Sequence, residues 1–209
     1  KDSVVNLALR FSTKGSVLII NRGKNPAKNY CQQIYENLSE SKEIDEDLIK
    51  LSELICKEFD SEDFDLSKFL RKGIAYHHAG LPNNIRTEIT KLFKNKKIRI
   101  ISATTTLAEG VNTPATFVIV PSLTMDISSE GGSHYEPWPR LFFRNVAGRA
   151  GRALIENEGH VILIQGNKDL KDIIPYLKMG KENLEKVESC LDTLQVKLRD
   201  EKYSYKTNP

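Results

Sequence analysis

Cysteine is scarce in this chain. Cys31, Cys56 and Cys190 are the only three among 209 residues, and no two stand in CxxC spacing. An odd number so spaced excludes a disulfide framework and a cysteine zinc site, and suits a reducing compartment. Long apolar runs are missing too. The longest purely aliphatic stretches, residues 17–20 and 161–164, are four residues each. A membrane-spanning helix needs about 20, so no membrane partner is expected. The chain opens on Lys1, with no basic region leading into an apolar one, so no signal peptide is expected. Charge of one sign does not dominate either, since the net charge is +3. It is unevenly spread, however. Between Glu36 and Leu66 twelve acids face three lysines, a net of −9, which leaves +12 on the other 178 residues. A basic body with an acidic segment fits a polyanion partner and fits an ordinary solvated surface equally. With 39% hydrophobic and 28% charged residues, the composition is that of one folded domain, or one domain with an insertion.

What is present is an alternation of strand and helix. Residues 16–21, 73–76, 98–103, 116–121 and 160–165 are short β-branched runs whose aliphatic stretches are continuous. Such runs read as strands covered on both faces. Between two of them, residues 83–94 place Ile85, Ile89, Leu92 and Phe93 on one helical stripe. Pro82 and Asn83 mark its start and Asn95 its end. The pattern predicts an α/β fold, a parallel sheet with helices on both faces. The acidic segment carries Ile44, Leu48, Leu51 and Ile55 at helical spacing, which predicts an amphipathic helical insertion over 36–70. Residues 1–14 read as a lead-in and 15–180 as the α/β domain. Over 181–209 the expectation is a helix on Leu184, Val187, Leu191, Leu194 and Leu198, then a polar tail.

Two stretches carry chemistry. Residues 147–152 read AGRAGR. Arg149 and Arg152, three apart, fall on one side of a helical turn, while Gly148 and Gly151 let a backbone or a phosphate approach closely. Fixed guanidinium groups are what developing phosphoryl charge requires; a basic surface turn is the plainer alternative. Residues 103–115 read ATTTLAEGVNTPA and follow a strand directly. Hydroxyls and amides at a strand's carboxyl end sit where open α/β sheets bind ligands, and threonines there can hold phosphates without reading bases. A threonine is equally an ordinary helix N-cap.

In order, YHHAGL (76–81), TTTLAEGVNTPA (104–115) and NVAGRAGR (145–152) form a set. It resembles the second RecA-like motor domain of superfamily 2 helicases, in the Ski-like DExH-box branch, over roughly residues 15–166. The resemblance implies a RecA-like fold and a role for each matching residue. Arg149 and Arg152 match the arginines that reach a nucleotide's terminal phosphates from across a cleft, with Arg152 the finger. Gly110 and Asn112 match positions near the ribose, and Asn145 and Gly148 stand beside the arginines. Thr104 and Thr105 match residues holding a nucleic-acid backbone. Asn21 and Arg22, after the first strand, match another strand-binding motif, and His78 and Gly80 line the same track. For His77 and His78 a packed strand-end histidine is the competing reading; no third ligand suggests a metal.

The chain departs from the family in two ways. Asn145 stands where the family usually has Gln, one methylene longer. No GxxxxGK(S/T) and no DExH or DEAD tetrapeptide occurs anywhere, and Gly23-Lys24 lacks a preceding glycine loop. The phosphate cradle and the magnesium-binding carboxylates are implied to sit on a first, N-terminal RecA-like domain of the same protein. The chain therefore reads as part of a longer ATP-dependent helicase using ATP with Mg2+, acting on nucleic acid in the cytoplasm, or in a eukaryotic nucleus. Alone it is expected to be inactive. The alternative is a non-catalytic RecA-like module binding nucleic acid or protein in a larger assembly. Residues 122–137 exceed what the core needs. Gly131-Gly132 lies between 125–127 and 133–135, the pattern of a β-hairpin, which splits duplexes at this point in related processive helicases; a surface loop is the other reading. Trp138, with Leu141 and Phe142, is expected in the core under the arginine helix.

Overall fold

The computed structural model describes residues 2–39, 44–105, 107, 114–126, 135–151, 159–164 and 170–177. In chain order its elements are α1 (Asp2–Ser12), β1 (Val17–Asn21), α2 (Lys24–Asn37), α3 (Glu46–Glu58), α4 (Asp65–Arg71), β2 (Ile74–His77) and α5 (Asn83–Lys94). There follow β3 (Ile100–Thr104), β4 (Phe117–Val120), β5 (Thr124–Asp126), β6 (Tyr135–Pro137), α6 (Arg140–Ala147), β7 (His160–Leu163) and α7 (Leu170–Leu177). Five strands form one parallel sheet in the order β2-β3-β1-β4-β7. Each strand from β1 to β4 is buried along its whole length, as continuous aliphatic runs require when helices cover both faces. Only β7, at the sheet's edge, is partly exposed. The fold is the α/β, RecA-like arrangement expected.

The order of the strands puts the crossover between β3 and β4 over β1. Val17 of β1 is in register with Ile100 of β3 on one side and Phe117 of β4 on the other, so the strands begin at one level. Helix α5 spans Asn83–Lys94 and buries Ile85, Ile89, Leu92 and Phe93, each worth about 1.5–3 kcal/mol when withdrawn from water.

Three expectations are corrected. Residues 1–14 are no mere lead-in: α1 buries Val4, Val5 and Ala8, packs on α2, β1 and β4, and stacks Phe11 on Phe117 at 4.5 Å. The acidic segment holds two helices, α3 and α4, packed on each other. Leu48, Leu51 and Ile55 are buried as expected, but Ile44 is 38% exposed. The helix starts two residues later, where Asp45 caps it by accepting from Asp47 N–H at 2.9 Å. The expected hairpin arms reach further towards the core: β5 takes in Thr124 and β6 takes in Glu136 and Pro137, pairing antiparallel with Asp126 opposite Tyr135 and Thr124 opposite Pro137. Gly131-Gly132 and residues 181–209 lie outside the described residues.

Candidate functional site

The carboxyl ends of β1, β2 and β3 bring most of the expected strand-binding residues to one edge. Asn21 and Thr104 are in register as the last residues of β1 and β3, and His77 closes β2 opposite Ala103. Just beyond them come Arg22, exposed, and Thr105, half-buried. Parallel strands aim their last residues into the loops that follow, so short loops gather these groups at one rim.

His78 stacks on Tyr76 with ring centroids 5.4 Å apart, and its Nδ1 accepts from Gly80 N–H at 3.1 Å. Burial, helped by the Lys24 ammonium, holds its imidazole below the usual histidine range. The ring is therefore neutral near pH 7, with its proton on Nε2 as an outward donor. A Cβ on Gly80 would stand 3.0 Å from Lys24 Nζ and 3.1 Å from His78 Nδ1. Gly80 thus leaves room where the lysine and the histidine meet. Lys24 is a cation of this rim that the sequence motifs did not single out. The signal available was its place in the first turn of α2, immediately after the strand-end motif.

Asn21 is placed differently from expectation. It is 3% exposed, and its amide nitrogen donates to Ser102 Oγ at 2.8 Å and to the Ile19 and Ala103 carbonyls at 3.2 Å. That amide nitrogen is engaged inside the sheet. It ties β1 to β3 and so fixes where Arg22 leaves the strand. His77 is likewise buried, its ring pushed down to about 4, first by burial and then by the charges of Arg86 and His78. It matches the packed strand-end reading.

The arginine motif occupies a second place. Helix α6 buries Phe142, Phe143 and Val146 and exposes Asn145, with Gly148 exposed just beyond its end. Trp138 lies edge-on to Phe142 at 4.8 Å, and its carbonyl accepts from Tyr176 Oη–H at 2.7 Å; these two are core, as expected, whereas Leu141 is 36% exposed. After α6 the chain turns. Gly148 N–H donates to Arg144 O at 2.8 Å and Arg149 N–H to Val146 O at 3.1 Å. Arg149 itself is 6% exposed. Its carbonyl accepts from Ala115 N–H, and Gly151 N–H donates to Ala115 O, both at 3.0 Å. Gly151 has φ +58°, a left-handed conformation that glycine adopts without strain. Arg152, Gly110 and Asn112 lie outside the described residues.

Ala115 leads into β4 and Gly159 into β7, so the arginine turn sits at the amino end of those strands. The strand-end cluster sits at the carboxyl end of β1–β3. Strands of four or five residues separate the two by about 15 Å at about 3.3 Å per residue. One stretch of chain, from Thr104 to Ala115, connects them. Among the described residues no three His, Cys, Asp or Glu side chains group as a metal site.

Residues 52–154 match the family model described as the helicase conserved C-terminal domain. The Hachiman protein HamB of Bacillus cereus is 33% identical over 202 residues, 91% of this chain and 17% of that protein. The ATP-dependent DNA helicase Hel308 of Caldivirga maquilingensis is 31% identical over 189 residues, 87% of this chain and 25% of that one. The helicase of the same name from Aeropyrum pernix is 34% identical over 123 residues, 58% of this chain and 16% of that one. The chain thus spans no more than a quarter of the length of these curated relatives. The parallel sheet, the order of the motifs and these likenesses together support one assignment, the C-terminal helicase domain of a superfamily 2 helicase.

Proposed function

We propose that the chain is the second motor domain of an ATP-dependent helicase or translocase of the Ski-like DExH-box branch, working against a first RecA-like domain of the same protein. Arg149 and Arg152 supply fixed positive charge to the nucleotide's terminal phosphates, where charge develops during phosphoryl transfer. Gly148 and Asn145 line that approach, and Gly110 and Asn112 lie by the ribose. At the other end of the sheet, Arg22, Lys24, His78, Gly80, Thr104 and Thr105 hold the phosphate backbone of one strand, with Asn21 placing Arg22. Contacts of this kind position a nucleic acid without reading its sequence, and they weaken with salt. The name ATP-dependent DNA helicase, printed for two of the relatives, favours DNA as the polymer; as the setting we propose the cytoplasm, or a eukaryotic nucleus.

The donors of this chain fit one half of the nucleotide. Arginines suit the phosphates, whereas the Mg2+ ion calls for carboxylates that the first domain would supply. ATP, when bound, provides the phosphoryl group whose hydrolysis drives closing and opening of the two domains. The observation that carries the reading is the run from Thr104 to Ala115. One end of it belongs to the strand-gripping rim, and the other holds Arg149 and Gly151 by two backbone hydrogen bonds.

The test compares the full-length protein with this chain. The full-length protein should hydrolyse ATP with stimulation by single-stranded nucleic acid, and the 209-residue chain should show no turnover above background. Substantial turnover by the chain alone would overturn the two-domain reading. Normal nucleic-acid binding by a full-length protein that never hydrolyses ATP would make the domain a non-catalytic binding module, a role to which Asn145 would be suited.

A further inference from the structure

Gly159, the residue before β7, lies against the arginine turn. A Cβ built on it would stand 2.2 Å from Ala150 C and from Gly151 N, and 2.5 Å from Ala150 O. All three are backbone atoms, so no side-chain rotation could make room. The turn is also held by Ala115, which bonds Arg149 O and Gly151 N–H at 3.0 Å each. Non-bonded carbon atoms need about 3.5 Å, so any side chain at 159 must push the turn by about 1 Å or more. What Gly159 supplies is space for that backbone.

We propose that Gly159 is a positioning residue for Arg149. Its bare backbone leaves room for the Ala150–Gly151 peptide, which Ala115 also holds, and this seating sets where Arg149 is presented. The proposal rests on the reading of Arg149 as a phosphate-contacting group. It adds that the guanidinium is placed by β7 and β4 together, and not by helix α6 alone.

The experiment uses the full-length protein carrying Gly159→Ala, Arg149→Ala, or both, with Gly73→Ala as a control. Gly73 has φ +70°, so alanine there strains the chain at the entry to β2, far from the turn. Steady-state ATPase, single-strand affinity and thermal midpoint are measured for each. Gly159→Ala should lower kcat by about 100-fold, the cost of misplacing a catalytic group by about 1 Å, with single-strand affinity unchanged. It should cause no further loss on the Arg149→Ala background, because residues acting through one another are not additive. Gly73→Ala should lower the thermal midpoint and leave kcat unchanged. Should Gly159→Ala fail to fold, Gly151→Ala displaces the same peptide from within and should behave alike. Normal kcat in the glycine variant, or an equal further loss on the Arg149→Ala background, would overturn the positioning role while leaving the arginine reading intact. Normal kcat in Arg149→Ala would overturn both.

Discussion

Asn21 and Ser102 join two central strands through a buried bond, the asparagine amide donating to the serine hydroxyl at 2.8 Å. The same nitrogen also reaches the Ile19 and Ala103 carbonyls, so one side chain fastens the carboxyl ends of β1 and β3. Replacing it by alanine leaves those acceptors buried with a donor missing. Asn21→Ala should cost about 1–3 kcal/mol of stability, the usual penalty for stranding buried polar groups. Urea unfolding would check this, and a variant as stable as the parent would show that the bond is dispensable.

His77 gives the domain an acid-sensitive element. Its imidazole is held at about 4 when folded, against 6.5 for the free group. The folded state therefore favours the neutral ring, and the unfolded chain takes up the proton first as pH falls. The resulting stabilisation, about 3 kcal/mol at about 1.36 kcal/mol per unit, is fully present above pH 6.5. It is lost as pH drops from 6.5 towards 4. His77→Gln should flatten this part of the stability-versus-pH curve. An unchanged slope, or a histidine proton signal titrating near 6.5, would refute it.

Arg152 should behave as an arginine finger in the full-length protein. Arg152→Ala is expected to lower ATPase turnover by roughly 10³–10⁵, equivalent to about 4–7 kcal/mol of transition-state stabilisation. Arg152→Lys should recover little, because an ammonium lacks the planar fork. A lysine variant with near-normal turnover would mean that the position supplies charge only.

The ribbon of β5 and β6 makes a mechanical prediction. Its base is anchored, since Trp138 N–H donates to Leu123 O at 2.8 Å and Trp138 packs in the core. Residues 127–134 can therefore be exchanged for a short Gly-Ser turn without disturbing α6. In the full-length protein, duplex unwinding should fall sharply while strand-stimulated ATPase persists. Undiminished strand displacement would reduce the ribbon to a surface loop, and parallel loss of ATPase would mean the exchange had reached the arginine helix.

Where one periodicity dominated, the sequence was readable almost to the residue. Ile85, Ile89, Leu92 and Phe93 define α5, and the unbroken aliphatic runs define the strands. The first helix escaped because residues 4, 5, 7, 8, 9 and 11 are all apolar, a density that favours neither a helical stripe nor alternation. Burial separates them, taking Val4, Val5 and Ala8 inside and leaving Leu7, Leu9 and Phe11 partly covered. Helix α2 follows β1 as the alternation of strand and helix implied; Pro26 is tolerated because it falls in the first turn, and Ala27, Cys31 and Ile34 mark its buried side. At the site, the motifs located strand ends correctly but could not tell which side chains turn inward. Asn21 and Arg22 are adjacent in sequence and opposite in exposure, because Asn21 is the last residue of a strand covered on both faces and Arg22 lies just beyond it. Nor could a motif read from sequence show that Gly159 touches the turn eight residues before it.

The ring stack that joins α1 to the far side of the sheet also has a bearing on how the chain is made. Phe11 lies on Phe117, and Phe117 lies on His160 at 5.2 Å. A ribosome adding about 5–20 residues per second delivers His160 roughly 7–30 s after Phe11. For roughly the first 5–20 s of that interval, Phe11 lacks Phe117, the ring on which it stacks. Nascent chains stalled before residue 117 should thus leave the β4-facing side of α1 uncovered, a landing place for a chaperone that lets go once β4 arrives.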